Sequence, residues 1–374
     1  MSASPAPRTP DEEYAYYNDV IRRITTGVAV TEEDLKFHVE YQNRTPRSGL
    51  PVGAAIPDIT LQDQSGAPRR LADLIGENGL VLSFARTVTW CPYCRNQLGE
   101  VRAARALLAS QGVTVAAITP DPLELHQVFA REQGIDYPLL TDPDSAAIEA
   151  FGILNDNIRQ EIVAQRHRMP FPGNFFIGPD GRVADKAFLP NFENRESVTV
   201  PAMKRLGVAA GAPRTEMRTA DYRIEISLSA CGSYPGNEVG LVCRLQPQGG
   251  RRLEPGAGGG SGAHILIEED LCRAPLRVLS DAPDGEGFVI TGVAPIRWSA
   301  PREFDVLVGL EQLTQGRLAP GAHALRGEIS FKLQGPGRSL ERMRAAFELP
   351  VQVLPDVARP NHNFPPRYAG LWDR

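Results

Sequence analysis

The sequence predicts an α/β domain, with a central mixed sheet flanked by helices, followed by an all-β sandwich. Residues 80–84 form a short continuous apolar run, which is typical of a central strand that is buried on both faces. Between residues 50 and 211, strand-like and helix-like segments alternate, as in a sheet that has helices on both faces. From residue 216 to 354, short alternating runs recur between Gly and Pro turns, which is typical of an antiparallel sandwich.

Composition and charge limit the class of protein. The chain has 374 residues, 42% of them apolar and 23% charged, an ordinary composition for two folded domains and a smaller piece. A net charge of −5 gives no indication of a nucleic-acid partner or an anionic membrane surface. No apolar run reaches the roughly 20 residues of a membrane helix, and the first ten residues lack the apolar stretch of a secretory signal. We therefore expect a cytoplasmic protein.

Residues 1–48 predict a disordered tip and a short helical preface. The first ten residues are rich in Pro, Ser and Ala, a composition that is typical of disorder. Residues 11–25 place acidic side chains early and arginines late, an order that the helix dipole favours. A capping box at Thr31–Asp34 predicts the start of a second helix, which runs through Tyr41.

Residues 49–211 are expected to form the α/β domain. We expect strands at 80–84 and 113–118 and from 137, helices at 92–110, 122–133 and 145–151, and a hairpin of 174–177 with 182–185. The helix at 92–110 is amphipathic, because Leu98, Val101, Arg105 and Leu108 recur at helical spacing.

Residues 216–355 are expected to form the β-sandwich. Its alternating runs begin at Tyr222, Gly240, Ala263, Phe304, Leu325 and Leu349. The glycine-rich segment 256–262 is expected to be a flexible loop rather than a phosphate-binding loop. Residues 356–374 contain two adjacent prolines and are expected to form an irregular arm.

The segment with the clearest chemical signal is Thr89-Trp-Cys-Pro-Tyr-Cys-Arg95, which follows the buried strand and begins a helix. At a helix N-terminus, unpaired backbone N–H groups and the helix dipole would stabilise a Cys91 thiolate. In such motifs the cysteine pKa falls from about 8.5 to between roughly 3.5 and 7.5. Pro92 suits the first helical turn because it has no N–H group to lose. Cys94, three residues later, faces the same side and can attack a mixed disulfide or sulfenic acid on Cys91.

A zinc half-site and two incidental core thiols are the alternatives for this pair. A zinc site needs a second pair of ligands at suitable spacing, and the sequence offers none. The histidines are scattered: His38, His126, His167, His264, His323 and His362. We therefore expect redox chemistry and no metal.

The other three cysteines lie in the predicted sandwich. Cys243 and Cys272 lie in or beside apolar runs, where core packing is the favoured interpretation. Cys231 precedes a Gly-Ser-Tyr-Pro-Gly turn and can relay electrons from Cys94 only if their Cα atoms come within roughly 7 Å.

Residues 50–200 resemble the alkyl hydroperoxide reductase / thiol-specific antioxidant branch of the thioredoxin superfamily. The likeness lies in residues 52–66, 117–121, 137–144, 149–153 and 169–181. The last segment is similar to the one that carries the superfamily's cis-proline, which would be Pro172 here. The resemblance implies a thioredoxin-like fold, a hydroperoxide or disulfide substrate, and an external dithiol reductant such as a thioredoxin. It implies no bound cofactor, because the cysteines themselves carry the electrons.

The sequence departs from the usual pattern of peroxiredoxins just before Cys91. Typical members have a proline seven residues and a threonine or serine three residues before the reactive cysteine, where this chain has Phe84 and Val88. The threonine hydroxyl contacts the peroxide oxygens in that family. Thr87 and Thr89, which flank the second position, are therefore candidate site residues.

Peroxiredoxin-like relatives with a Trp-Cys-Pro-Tyr-Cys site have an arginine at the end of the preceding strand, close to the cysteine. The resemblance implies that Arg86 has this place here, where it would lower the thiol pKa and hold an oxygen of peroxide or sulfenate. The alternative is an arginine at the surface or the sheet end. Trp90, Pro92 and Pro172 are expected to wall the sulfurs.

The sandwich resembles the immunoglobulin-like domain at the N-terminus of the transmembrane thiol:disulfide interchange reductase. The likeness lies in residues 294–301, 321–334 and 348–353. That family has a cysteine pair after the second of these segments, and this chain has none there. The resemblance therefore implies an interaction role without electron transfer.

Three functions stay open at this point. The first is a peroxidase, in which Cys91 becomes a sulfenic acid that Cys94 resolves as a disulfide. The second is a thioredoxin-like disulfide oxidoreductase that uses the same two sulfurs. The third is a non-enzymatic redox sensor with the sandwich as its reader. The oligomeric state, including a homo-oligomer, also stays open.

Overall fold

The structure is a computed structural model. It describes residues 9–26, 28, 30–158, 168–189, 195–268, 270–272, 275–285, 287–296, 319–335 and 339–355. Three expectations fall outside these residues: residues 1–8 of the predicted disordered tip, the run that begins at Phe304, and the predicted arm at 356–374.

The helical preface consists of α1 (Pro10–Thr26) and α2 (Glu32–Gln42). Thr31 caps α2: its hydroxyl accepts from the Asp34 N–H at 3.1 Å, and the Asp34 carboxylate accepts from the Thr31 N–H at 2.8 Å. The predicted capping box is confirmed. The same carboxylate binds Arg23 of α1 at 2.8 Å, so one acidic residue starts the second helix and joins it to the first.

The α/β domain follows the preface, and its strands and helices alternate as predicted. Its strands are β1 (Thr60–Gln62), β2 (Pro68–Arg70), β3 (Gly79–Phe84), β4 (Val113–Thr119), β5 (Leu139–Thr141), β6 (Gly173–Ile177) and β7 (Val183–Ala187). Its helices are α3 (Pro92–Ala109), α4 (Leu123–Gln133) and α5 (Ala146–Ala150). Among the described residues, the sheet order is β2-β1-β5-β4-β3-β6-β7, with β3, β4 and β5 parallel and their outer neighbours antiparallel. The predicted mixed sheet is confirmed.

Both faces of this sheet are covered, which explains why β3 reads as a continuous apolar run. Successive side chains of a strand point to opposite faces. Val81 packs with apolar residues of α3 and α4, whereas Phe84 packs on the other face with Phe151 and Phe175. The ring centroids of these three aromatic residues lie 5.0–5.8 Å apart.

The remaining elements are mostly strands. After β8 (Arg195–Glu196) and α6 (Val200–Leu206), the strands are β9 (Arg214–Arg218), β10 (Tyr222–Leu228), β11 (Gly232–Ser233), β12 (Asn237–Pro247), β13 (Arg252–Leu253), β14 (His264–Ile267), β15 (Arg277–Asp284), β16 (Gly287–Pro295), β17 (Gly321–Gln334) and β18 (Leu340–Val353). In the described part of the chain, one sheet has the order β15-β16-β12-β10-β9 and the other β11-β18-β17-β13. β8 pairs with β12 in the first sheet, and β14 pairs with β17 in the second.

The two sheets pack face to face over one apolar core. Ile224 and Leu241 of the first sheet belong to the same buried cluster as Leu325 and Phe347 of the second. The ring of Phe331 in the second sheet meets that of Tyr222 edge-on, at a centroid distance of 5.2 Å. The predicted β-sandwich is therefore confirmed.

Hydrogen bonding crosses the predicted boundary between the domains at residue 211. β8 precedes that boundary, yet Arg195 and Glu196 pair in parallel with Asn237 and Glu238 of β12. Tyr234, from the sandwich region, is 3% exposed and packs in the cluster that α3 and α4 form on the α/β sheet. The α/β region and the sandwich are thus joined by backbone pairing at β8 and by the packing of Tyr234. None of the described helices has the length and apolar character needed to cross a bilayer.

We predict that Gly49→Ala lowers the free energy of unfolding by about 3 kcal/mol, since a left-handed backbone costs roughly 1–2 kcal/mol and overpacking costs roughly 1–3 kcal/mol. Gly49 has φ +67°, and an added Cβ would lie 2.6 Å from Ile153 Cγ2 and 2.8 Å from Phe175 Cζ. Gly53, on the same segment, has φ +90° but open space where its Cβ would be. Urea unfolding of Gly53→Ala should therefore show only the backbone cost of about 1–2 kcal/mol. Equal losses in the two variants would contradict the packing argument.

Candidate active site

The Cys91–Cys94 pair lies where the turn after β3 leads into α3. Cys91 is the N-cap residue of α3, and its sulfur accepts the Cys94 N–H at 3.3 Å. Pro92 occupies the first helical turn, as expected of a residue without an N–H group. Both cysteines are free thiols that are buried, with exposures of 1% and 0%. The turn and the helix start thus bring the two sulfurs together in the interior.

Arg86 lies beside both sulfurs. Its Nη2 donates to Cys91 Sγ at 3.1 Å, and its backbone N–H donates to Cys94 Sγ at 3.3 Å. Its Nη1 donates to Oε1 of Gln42 at 2.7 Å, which ties the helical preface to the site. The guanidinium lies 5.2 Å from the centre of the Trp90 ring. Arg86 as a whole is 4% exposed. The alternative of a surface arginine is therefore wrong.

A second arginine reaches the pair from a distant part of the chain. Nη2 of Arg195 lies 3.8 Å from Cys94 Sγ, and its Nε donates to Oε1 of Gln97 at 2.8 Å. Sequence reasoning missed this residue. Arg195 follows Cys94 by 101 positions, and no local pattern indicates that the two side chains meet.

The two sulfurs titrate as a coupled pair. Burial and the hydrogen bond with Cys94 raise the pKa of Cys91 well above its ordinary value. Burial also opposes ionisation of Cys94, but the hydrogen bond from Cys91 and the guanidinium groups of Arg86 and Arg195 outweigh it and lower the pKa of Cys94. The sequence predicts the lowered pKa at Cys91; the structure has it at Cys94, because the Cys91 thiol donates a hydrogen bond to that sulfur and both arginines add to the effect. The pair therefore holds one negative charge and one proton.

The hydroxyls of Thr87 and Thr89 do not face the sulfurs. They hydrogen-bond each other at 2.9 Å, and the Thr87 hydroxyl donates to Oδ1 of Asp121 at 2.7 Å. Oδ2 of Asp121 accepts the Val88 N–H at 2.8 Å and the Thr119 hydroxyl at 2.5 Å. Burial raises the pKa of Asp121 to about 6. The two threonines thus hold the turn between β3 and α3 rather than line the sulfurs.

Asp121 is not identified from the sequence as a residue that supports the site, although the segment 117–121 contributes to the family resemblance. It anchors the turn through a backbone and two side-chain donors. Buried His126 extends this network, with Nε2 at 2.7 Å from the Thr119 hydroxyl. Burial lowers the pKa of His126 to about 4, so the ring is neutral near pH 7.

Trp90 and Pro172 have different surroundings. Trp90 packs against the cluster that contains both cysteines and against a second cluster, which includes Tyr17 and Tyr41. The expected cis peptide at Pro172 is wrong, since the described residues contain no cis peptide bond. Trans is favoured by about 0.5–1 kcal/mol before any proline, so the residue type alone does not impose cis. Pro172 lines a cavity of about 230 Å³ whose described lining, with Phe171 and Phe188, includes neither cysteine.

The remaining cysteines lie apart from this pair. Cys243 and Cys272 are buried in the core of the sandwich, which confirms the packing interpretation. Burial raises the pKa of Cys243 to about 12. Cys231 is exposed, and its thiol donates to the carbonyl oxygen of Gly211 at 3.6 Å. Within the described ranges, no three His, Cys, Asp or Glu side chains lie close enough to share a metal ion.

Residues 52–186 match the model of the AhpC/TSA family. A putative peroxiredoxin of Mycobacterium tuberculosis is 30% identical over 136 residues, which cover 36% of this chain and 84% of that protein. The thiol-disulfide oxidoreductase ResA of Geobacillus thermodenitrificans is 26% identical over 140 residues, which cover 37% of this chain and 70% of that protein. A solved structure, peroxidoxin BcpB of Mycobacterium tuberculosis, is 27% identical with a TM-score of 0.34, and the match covers 38% of this chain and 90% of that one.

The matched segment contains β3, the turn, the Cys91–Cys94 pair and α3, whereas Gln42 and Arg195 lie outside it. Because the match to the putative peroxiredoxin spans most of that relative, the chain belongs to the AhpC/TSA family and is a thiol-based oxidoreductase.

Proposed function

We propose that the protein reduces hydroperoxides with Cys91 as the attacking sulfur and Cys94 as the resolving one. The observation that carries the proposal is the placement of Arg86, which donates to Cys91 through its guanidinium and to Cys94 through its backbone. A cation in this place stabilises a thiolate and can hold an oxygen of the bound peroxide. The class named for the Mycobacterium tuberculosis relative, a putative peroxiredoxin, also supports it.

The first step forms a sulfur–oxygen bond. The hydrogen bond between the Cys91 thiol and the Cys94 thiolate lets the Cys91 proton pass to Cys94, which leaves the negative charge on Cys91. The Cys91 thiolate attacks the terminal oxygen of the hydroperoxide, the O–O bond breaks, and the alkoxide or hydroxide that leaves takes up a proton from solvent. Sulfur is oxidised by two electrons to a sulfenic acid, and the peroxide is reduced by the same two electrons.

The second step closes a disulfide. Cys94 lies one turn into α3 and attacks the Cys91 sulfenic acid, so that the S–O bond breaks and water leaves. An external dithiol of the thioredoxin class then reduces the disulfide by thiol–disulfide exchange. It returns two electrons and one proton to the pair, and its second proton is released to solvent. A reducing compartment such as the cytoplasm would keep the resting pair as the free thiols described above.

A disulfide oxidoreductase is the second candidate, and the threonine hydroxyls favour it. The Thr87 hydroxyl bonds Asp121 and the Thr89 hydroxyl bonds that of Thr87, so the hydroxyl contact of typical peroxiredoxins is not made to these sulfurs. In this reaction Cys91 attacks a substrate disulfide and Cys94 displaces the substrate from the mixed disulfide. The name of the Geobacillus thermodenitrificans relative agrees with this class. The redox-sensor hypothesis stays a prediction.

We predict that stoichiometric hydrogen peroxide converts the reduced protein to a Cys91–Cys94 disulfide, as read by mass spectrometry of peptides. Cys94→Ser should stop at a Cys91 sulfenic acid, which dimedone traps, because the resolving thiol is missing. Cys231→Ser, which changes the exposed thiol, is the control and should behave as the wild type.

The rate separates the two candidate reactions. Stopped-flow mixing should show Cys91 oxidation at least a hundredfold faster than that of a free thiol at the same pH. A rate no faster than a free thiol, together with rapid reduction of a model disulfide, would reject the peroxidase in favour of the disulfide oxidoreductase.

We predict that Arg86→Met slows Cys91 oxidation by peroxide ten- to a hundredfold. A hydrogen bond to a charged group contributes roughly 1.5–3 kcal/mol, and about 1.4 kcal/mol is a factor of ten. Arg86→Lys keeps the charge without the planar fork and should lose less. Arg326→Met, which removes an arginine paired with Glu348 in the sandwich, is the matched control. Wild-type rates in Arg86→Met, with the fold intact by circular dichroism, would show that the guanidinium does not serve the reaction.

A further inference from the structure

Arg195 lies in the buried interface between the redox site and the sandwich. It is 2% exposed and begins β8, whose backbone pairs with β12 of the sandwich. Ser197, two residues after Arg195, extends this pairing, because its N–H donates to the Glu238 carbonyl oxygen at 2.9 Å. The position of the Arg195 backbone is therefore set by a strand of the sandwich.

The side chain of Arg195 is aimed at Cys94 by a buried polar chain. Its Nε donates to Oε1 of Gln97, which is one turn after Cys94 on α3. Nε2 of Gln97 in turn donates to Oδ1 of Asn174 at 3.1 Å, on β6. The Asn174 amide donates to the carbonyl oxygen of Glu196 at 3.1 Å, which closes the chain back on β8. Each polar group along this path thus limits where the guanidinium can lie.

A second contact attaches the sandwich to the same helix. The side-chain amide of Asn237, the β12 residue paired with Arg195, donates to the buried carboxyl group of Glu100 on α3. Tyr234 packs in the cluster that contains Cys91 and Cys94. The sandwich is therefore attached to α3 at Glu100 and packs in the same buried cluster as the cysteine pair.

We propose that Arg195 is a positioning residue, which the sandwich holds against Cys94 so that the second domain sets the redox equilibrium of the Cys91–Cys94 pair. The inference rests on the redox pair of the proposed function, but not on which oxidant it meets. In the dithiol state the pair holds one negative charge, which the guanidinium at 3.8 Å attracts in a buried site. The disulfide has no such charge. Arg195 therefore stabilises the reduced state and makes the disulfide easier to reduce.

The test measures the equilibrium of the pair with a glutathione buffer at pH 7, quantified by mass spectrometry of the full-length protein after acid quenching. Arg195→Met should lower the equilibrium constant for reduction of the disulfide by about tenfold, which for two electrons is about 30 mV. Arg195→Lys keeps the positive charge and should restore most of the wild-type value. Arg251→Met, which removes an arginine paired with Asp221 and Glu341 in the sandwich, should leave the equilibrium constant unchanged.

A loss of stability alone would not lower the equilibrium constant in Arg195→Met and spare it in Arg195→Lys, because the two variants differ chiefly in the charge at position 195. An unchanged equilibrium constant in a folded Arg195→Met, or equal shifts in the Lys and Met variants, would overturn the proposal. If Arg195→Met does not fold, Gln97→Leu carries the test. That variant removes the acceptor that aims Arg195, so a smaller fall in the equilibrium constant supports the proposal and no change overturns it.

The result also separates this inference from the proposed function. A disulfide that forms with an unchanged equilibrium constant in the variants rejects the role of Arg195 and leaves the redox pair intact. A wild-type pair that forms no disulfide in oxidised glutathione rejects both.

Discussion

The contacts of Arg86 with the two sulfurs, from its guanidinium to Cys91 and from its backbone N–H to Cys94, are the interaction on which the rest of the site depends. A cation that is 4% exposed has lost most of its water, and hydrogen bonds to Cys91 and Gln42 replace that hydration. Removing Cys91 or Gln42 would take a hydrogen bond from the buried guanidinium and would not return its hydration. The three side chains therefore depend on one another in the interior. Because Gln42 lies at the end of α2 and Cys91 starts α3, this one cation sets the distance between the helical preface and the redox helix.

The geometry of that contact relies on the turn that connects β3 to α3. Asp121 holds this turn from the neighbouring strand end, by accepting from the Val88 N–H and the Thr87 hydroxyl. A backbone held at several points leaves Arg86 little freedom, and preorganisation of this kind is what a reactive side chain needs. The threonines therefore contribute to the redox pair through the scaffold. The Thr87 hydroxyl bonds the Asp121 carboxylate and the Thr89 hydroxyl bonds that of Thr87, whereas the arginines are the groups that face the sulfurs.

The sandwich is joined to the α/β region by more than a connecting segment. β8 lies before the boundary that the change in sequence pattern predicts, yet its backbone completes a sheet of the sandwich. Tyr234 and Asn237 reach α3 from the other side of that boundary. The packing of α3 thus depends on residues from both regions. A change in the sandwich can therefore reach the sulfurs through a single helix, without a hinge between two independent bodies.

The sequence by itself determined the local features: the order of strands and helices, the capping box at Thr31 and the placement of Cys91 at a helix start. Apolar periodicity, caps and a strand–turn–helix motif are encoded within a few neighbouring residues, so a single sequence contains them. Only the tertiary structure decided that Arg195 meets Cys94, that the Thr87 hydroxyl binds Asp121 and that the peptide before Pro172 is trans. These outcomes depend on contacts between residues that are far apart in the chain. Local patterns carry no information on such distances, because the packing of the whole sheet sets them.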